Sequence, residues 1–381
     1  MSLESLRAKR RIKRILKPEN KESKIVKINL QKNSINGTII IDNVKLFFKL
    51  LERKKAKKEI AGYKDLIGKY PIPQVERVLE DYDDVLILYQ YEKTIGKNKG
   101  LLSDEINKKL ESQKKVNLNK IFSIWRENFL NSVRWSLQIP ENSEFFKKRI
   151  QSTGRYDLWY NKSKVKVSGG KYGFNELMKK KYIVNGKLMD KTPYELYKRA
   201  KKSLTKNRRR IELLSQGDPI EMNIGMRPIF FDFETAGMED FLGENAIFIY
   251  SILIDGGYFS PKYHRNAFWL YKRSLKNMEK HSYNYLNYKV DDQVIIDYEL
   301  KVPAVRIKIL QEYFKQIVKP VLRKSKLSFS KYLEYLNNYL FARFMLVHNV
   351  QKMEINDIFF TVAMISEINH IGLSKYMKKV M

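Results

Sequence analysis

Asp218, Asn223 and Asp232 stand close together in one segment, Gly217-Asp218-Pro219-Ile220-Glu221-Met222-Asn223 followed by Asp232-Phe233-Glu234. Two carboxylates and a carboxamide make an all-oxygen donor set. Such sets suit Mg²⁺, which takes one or two protein carboxylates and completes its shell with waters and phosphate oxygens. Glu234 adds a further carboxylate to the set, and residue type and spacing leave open which of these groups would meet a metal. A carboxylate left off the metal can take a proton from a hydroxyl. At about 5% usage per residue type, Gly-Asp, Asn five residues on and Asp-Phe at the observed offset coincide by chance in on the order of one chain in ten thousand. A second set lies upstream. Lys49 interrupts the apolar run Lys45-Leu46-Phe47-Phe48-Lys49-Leu50-Leu51, where an ammonium is costly to desolvate unless it is paired. Glu59, ten residues on, is its candidate partner.

The elements that must position these groups are legible from periodicity. Ile25–Leu30, Thr38–Ile41, Val44–Leu51, Val75–Leu79 and Val85–Gln90 read as strands, the last two around a turn at Asp81–Asp84. A helix is expected over about 52–69, with Ile60, Tyr63, Leu66 and Ile67 on one face, ended by Tyr70-Pro71-Ile72-Pro73. This is a five-strand, one-helix unit. Helical spacing dominates beyond Gly96, over about 103–137, 193–205, 304–322 and 328–349. Strand signals there are confined to about 210–235. The strand Ile211–Leu214 leads into Gly217-Asp218, and a hairpin from Ile224 to Phe231, turning at Met226–Pro228, delivers Asp232. The expected organisation is a basic N-terminal helix or tail over 1–24, a nucleotide-binding lobe over 25–95, and a larger lobe over 96–381.

Composition narrows the chemistry. The 381 residues exceed what one core usually serves, so two lobes are expected. With no cysteine, disulfides, cysteine–zinc sites and thiol catalysis are excluded. The four histidines, His264, His281, His348 and His370, show no metal-ligand spacing. The longest apolar run, Ala246–Ile254, is shorter than the ~20 residues needed to cross a bilayer. No apolar stretch follows the basic N-terminus, so no signal peptide is expected and the cytoplasm is the expected compartment. The formal net charge is +32, which calls for an anionic partner such as nucleic acid, a membrane surface or a phosphorylated ligand. The excess of lysine, with abundant Ile, Asn and Tyr, equally fits AT-rich coding. Residues 1–17 read as a short basic amphipathic helix that either leans on the first lobe or docks on a membrane. Residues 162–210 hold seventeen basic residues against Glu176, Asp190 and Glu195.

These motifs, in this order, resemble the aminoglycoside phosphotransferase and choline kinase superfamily, whose members phosphorylate small molecules. A strand lysine paired with a helix glutamate positions the α- and β-phosphates in kinases. Residues 25–96 and 205–260 carry the likeness. It implies an α+β, two-lobed protein-kinase-like fold, with a small antiparallel-sheet lobe bearing one helix and a larger, mainly helical lobe. It implies transfer of the γ-phosphoryl group of ATP or GTP, with Mg²⁺. Carried over, Asp218 is the catalytic base and Asn223 and Asp232 hold the metal. Lys49 meets the phosphates and Glu59 holds Lys49. Gln90, Tyr91 and Glu92 form the hinge against the purine. Gln31–Gly37 covers the phosphates, with Asn33 and Ser34 serving where such loops lack glycine. The superfamily writes its catalytic loop H-G-D-x-H-x-x-N, and here both histidines are replaced, by Gln216 and Ile220.

The resemblance implies a hydroxyl acceptor but not its identity. Aminoglycosides are polycations and call for carboxylate-lined sites. The basic segment before the catalytic loop favours instead a neutral or anionic acceptor: an antibiotic, a sugar, a nucleoside-like metabolite or a lipid headgroup. That segment read as a remote surface insertion is the alternative. Glu244, Asp255 and the aromatic stretch Tyr258–Tyr271, with Phe259, His264, Phe268 and Trp269, are candidates for the acceptor side. The competing function is a kinase-like binding module, catalytically weak, for nucleic acid or an anionic membrane.

Overall fold

The computed structural model describes residues 3–19, 22–30, 35–92, 100–112, 116–167, 170–264 and 275–380. Strands β1 (Ser23–Leu30), β2 (Ile35–Ile41), β3 (Val44–Glu52), β4 (Val75–Glu80) and β5 (Asp84–Gln90) form one antiparallel sheet in the order β1-β2-β3-β5-β4. The helix between β3 and β4, α2, spans Arg53–Leu66. It ends one residue before Ile67, which is exposed rather than part of the apolar face.

Both faces of this sheet are covered, which explains why β3 and β5 are near-continuous apolar runs. Leu46, Phe48, Leu50, Leu86 and Leu88 pack on one face with Ile12, Ile15 and Leu16. Those three residues come from the N-terminal helix α1, Leu3–Leu16, which docks on the sheet. Arg11 pairs with Asp84, its Nε donating to Asp84 Oδ2 at 2.7 Å, and Arg77 pairs with Glu19 at 2.8 Å. Val85, Ile87, Tyr89 and Leu51 belong to the opposite face and the main core. The C-terminal half of the apolar stripe of α1 is therefore buried on the sheet, while Leu3 and Leu6 stay exposed.

The remainder is mainly helical, and its core is aromatic: Trp125, fully buried, lies within 6.4 Å of Phe122, Phe129, Phe230, Phe248 and Tyr313 by ring centroids. The apolar run at 246–254 is a central helix, Phe241–Tyr250, continued with wider turns through Ser251–Phe259 and buried along that whole length. Strands are not confined to 210–235. Tyr283–Val290 and Gln293–Leu300 form a hairpin, and Lys181–Val184 joins it in parallel through Gln293–Ile296. The basic segment 162–210 is thus built into the lobe. Its helix Pro193–Thr205 carries a capping box at Thr192 and Glu195 and buries Leu196, Tyr197, Ala200 and Leu204. The hairpin does alternate, most clearly in Gln293–Leu300 after Asp291-Asp292, whereas the parallel pairing of Lys181–Val184 leaves no local turn signal. No helix among the described residues is long and apolar enough to cross a membrane.

Candidate active site

Lys49 lies in the middle of β3, paired across the sheet with Asn36 and Ile87. Its Nζ donates to Glu59 Oε1 at 2.6 Å and to Asp232 Oδ1 at 2.8 Å. Glu59 is 1% exposed and is also held by the Tyr89 hydroxyl at 2.8 Å. Burial alone would pull the Lys49 ammonium down, but Asp232 and Glu59 outweigh it and the net shift is upward. Asp232 moves the other way, held below its ordinary value chiefly by Lys49. The strand lysine that looked expensive from its neighbours is thus paid for by two carboxylates, one from α2 and one 183 residues away.

The Gly217–Asn223 loop follows the strand Arg210–Ser215 and is shaped by its own residues. Gly217 has φ 86°, and a Cβ there would run into the Thr235 carbonyl. Glycine alone meets both demands. Asp232 also sits in the left-handed region, at φ 65°, which Asp tolerates better than most residues. Asn223 donates through Nδ2 to the Asp218 carbonyl at 2.9 Å and lies 3.4 Å from Asp218 Oδ2. Having spent its amide nitrogen on Asp218, it has its carbonyl oxygen to offer a cation. The hairpin of Ile224–Gly225 against Ile229–Phe230 forms as expected, and Phe231 N bonds Asn223 O at 3.0 Å. This brings Asp232 back beside the loop.

Gln216, which looked like a loss, is the bolt between the two loops. Its Nε2 donates to the carbonyls of Phe231 and Asp232, each at 2.6 Å, and its Oε1 accepts from Asp218 N at 3.1 Å. A side-chain amide offers two donors and an acceptor at once. Ile220, at the second histidine position, packs against the main core.

Asp218 is partly exposed, and burial pushes it up to about 6, with Arg343 opposing and Asp232 adding to the shift. Arg343 Nη2 stands 3.9 Å from Asp218 Oδ1. Glu221 carries no exposed role. It is 1% exposed and receives both Nη atoms of fully buried Arg306, at 2.6 and 3.1 Å, while Arg306 also donates to Ile252 O at 2.9 Å. The pair bolts the loop to the central helix. Glu234 is partly buried and raised by that burial, with Lys55 opposing.

Other expected positions fall differently. Gln90 is exposed and bonds Gln74, Tyr91 lies under the Lys45 ammonium at 4.0 Å, and Glu92 ends the described segment at the strand exit. Asn33 and Ser34 lie outside the described residues, as do Phe268 and Trp269. Gly37 is not part of a phosphate-covering loop. It lies inside β2 between Ile28 and Phe48, and a Cβ there would run into the Lys27 carbonyl. Glu244 does not open toward an acceptor. It is 1% exposed beneath the loop and bonded to Ser215, and burial pushes it up to about 8. Asp255 is buried and bonded to His348 Nε2 at 2.6 Å. Tyr258 and Phe259 are core. The charged partners of Asp218 are Arg343 and Arg149, not the 162–210 segment. Arg343 had the same signal as Lys49, a lone cation inside Leu340-Phe341-Ala342-Arg343-Phe344-Met345-Leu346. No group of three or more His, Asp or Glu among the described residues is arranged to hold a metal.

The sheet order, the helix after β3 and the lysine-to-glutamate pair define an α+β, two-lobed, protein-kinase-like architecture. Among solved structures, the chain is similar to an amicoumacin kinase in complex with AMP-PNP and Ca²⁺, at 12% identity and TM-score 0.45 over 99% of each chain. It is also similar to an aminoglycoside phosphotransferase in ternary complex with ADP and hygromycin B, at 10% identity and TM-score 0.41 over 93% of this chain and 94% of that one. A spectinomycin phosphotransferase with ADP and spectinomycin matches at 12% identity and TM-score 0.36 over 94% and 98%. No family model matches the chain. No curated protein matches it in sequence.

Proposed function

We propose that the chain transfers the γ-phosphoryl group of ATP or GTP to a hydroxyl of a neutral or anionic small molecule. The observation that carries this reading is the clamp of Lys49 between Glu59 and Asp232, with Asp218 bolted to the same corner through Gln216 and Asn223. A lysine so held presents a fixed positive charge to the α- and β-phosphates. Residues 25–95 are the nucleotide lobe on this reading, with the backbone of Gln90–Glu92 against the base, and 96–381 supply the catalytic loop and the acceptor side.

Asp218 receives the acceptor's hydroxyl proton as the hydroxyl oxygen forms its bond to the γ-phosphorus. The bond from that phosphorus to the bridging oxygen breaks, and the nucleoside diphosphate leaves with the electron pair. The oxygen-only donors Asn223 and Asp232, with Glu234 near, fit a hard divalent cation. Bound there, Mg²⁺ supplies charge neutralisation on the nucleotide phosphates. The protein's own contribution is position and fixed charge.

The test is thermal unfolding with ATP or GTP, each with Mg²⁺ and with EDTA, in the native chain and in Asp232→Ala. Ligand at a hundred times its Kd adds about 2.7 kcal/mol, a shift of a few degrees. A Mg²⁺-dependent shift abolished in Asp232→Ala supports the reading and names the donor. No shift with either nucleotide overturns it in favour of a binding module.

A further inference from the structure

Three guanidinium groups cluster around the C-terminal end of one helix, and one of them reaches Asp218. Arg343, 8% exposed, approaches Asp218 Oδ1 from the helix Phe329–Leu346. Three residues along that helix, the carbonyl oxygen of Leu346 accepts from Arg149 Nη1 at 3.3 Å and from Arg155 Nη1 at 2.8 Å. Arg149 and Arg155 therefore meet at one atom, within a turn of Arg343. Both are braced on aromatic rings of their own segment, Arg149 at 3.3 Å from the Phe145 centroid and Arg155 at 5.1 Å from that of Trp159.

Three guanidiniums here share two nearby carboxylates, Asp218 and Asp255. Burial, and then the neighbouring guanidiniums, hold Arg149 and Arg155 below the ordinary arginine value. The carboxylates whose charge reaches Arg343 are Asp218, at 3.9 Å, and Asp255, which is already bonded to His348. The Nε atoms of both Arg149 and Arg343 are buried with no hydrogen-bond partner among the described residues. Like charges held together at such spacing repel, and a chain keeps them so where an anion completes the set. The guanidinium fork is shaped to take two oxygens of a phosphate or carboxylate at once.

We propose that Arg343, Arg149 and Arg155 form an anion subsite, so that the acceptor is a hydroxyl compound that also carries a phosphate or carboxylate. Resting on the kinase reading, this names the substrate class. The anion sits on Arg343, with Arg149 and Arg155 behind it, and the reacting hydroxyl lies a few bonds away against Asp218. Polycationic acceptors are repelled by the same three charges.

The experiment fills the nucleotide site with AMP-PNP and Mg²⁺, then measures unfolding temperature against glycerol 3-phosphate, glycerate, glycerol and glucosamine. Glycerol 3-phosphate or glycerate raises the unfolding temperature, and which of them does so separates phosphate from carboxylate. Glycerol and glucosamine leave it unchanged. Arg343→Gln weakens the anion's binding by about tenfold or more, and Arg155→Gln, at a less buried position, weakens it several-fold. The AMP-PNP shift persists in both variants, which shows that they are folded. Absence of any anion response, an undiminished response in Arg343→Gln, or an equal response to glucosamine overturns the subsite. An anion response without an AMP-PNP shift leaves the subsite standing and removes the kinase reading.

Discussion

At the scale of single residues, the proposed function gives Asp218 the chemistry, while Gln216 sets the geometry around it. Replacing a general base typically costs about 10²–10⁴ in rate, so Asp218→Ala lowers turnover by that order while Mg²⁺-nucleotide binding persists. Steady-state rates beside a nucleotide titration check this, and normal turnover excludes the role. Gln216→Ala removes two hydrogen bonds between the loops and one within its own loop. It is expected to lower stability by about 2–4 kcal/mol and to weaken Mg²⁺-nucleotide binding, read by urea unfolding and calorimetry. Glu244 sets a pH dependence. Burial raises it from 4.5 to about 8, so the folded chain keeps a proton that the unfolded chain releases. Its contribution to stability is complete below about 4.5 and is lost as pH rises to about 8. Urea unfolding at pH 5 and pH 8 should show Glu244→Gln gaining on the native chain by on the order of a few kcal/mol at the higher pH. A gap that does not change with pH contradicts the assignment.

At the scale of elements, α2 is set by how closely it rides on the Asp232 segment. A Cβ at Gly62 would run into the Phe233 carbonyl, and Phe233 lies 5.9 Å from Tyr63 and 6.3 Å from Tyr89. Gly62→Ala should therefore push α2, and Glu59 with it, away from Asp232. Overpacking of this kind costs about 1–3 kcal/mol, and the expected signature is a nucleotide Kd that rises more than the unfolding temperature falls. The strands and helix of the N-terminal sheet were legible in sequence because turns are local and both faces are apolar. The Asp218 loop and its hairpin were legible because Gly217 and the Met226–Pro228 turn mark them. The hairpin Tyr283–Leu300 carries a local signal in the alternation of Gln293–Leu300, whereas its parallel partner Lys181–Val184 is four residues long and pairs with a strand far along the chain.

At the scale of the whole molecule, the charge of +32 makes the folded chain repel itself. Raising NaCl from about 0.05 M to about 0.5 M shortens the Debye length severalfold and should raise the unfolding temperature by a few degrees, even though exposed pairs such as Lys289–Asp291 weaken. A falling temperature would mean that the surface pairs outweigh the net charge. The lobes are joined by specific bonds. The Tyr70 hydroxyl donates to Leu214 O at 2.8 Å, Phe230 N donates to Pro71 O at 2.9 Å, and Asn128 Nδ2 donates to Lys69 O at 3.0 Å. They hold Lys49 opposite Asp232 across the cleft.

By itself the amino-acid order singled out the groups that the proposed function uses, Lys49, Glu59, Asp218, Asn223 and Asp232, and the local elements that bear them. Those follow from residue type, short-range periodicity and turn-forming residues. Only the tertiary structure decided that Gln216 bonds both loops, that Glu244 and Asp255 are buried and partnered, and that Arg149 and Arg155 meet at the Leu346 carbonyl within a turn of Arg343. Each of those facts joins residues far apart in the chain. Burial, pairing and repulsion between such groups depend on distances that spacing along the sequence does not encode.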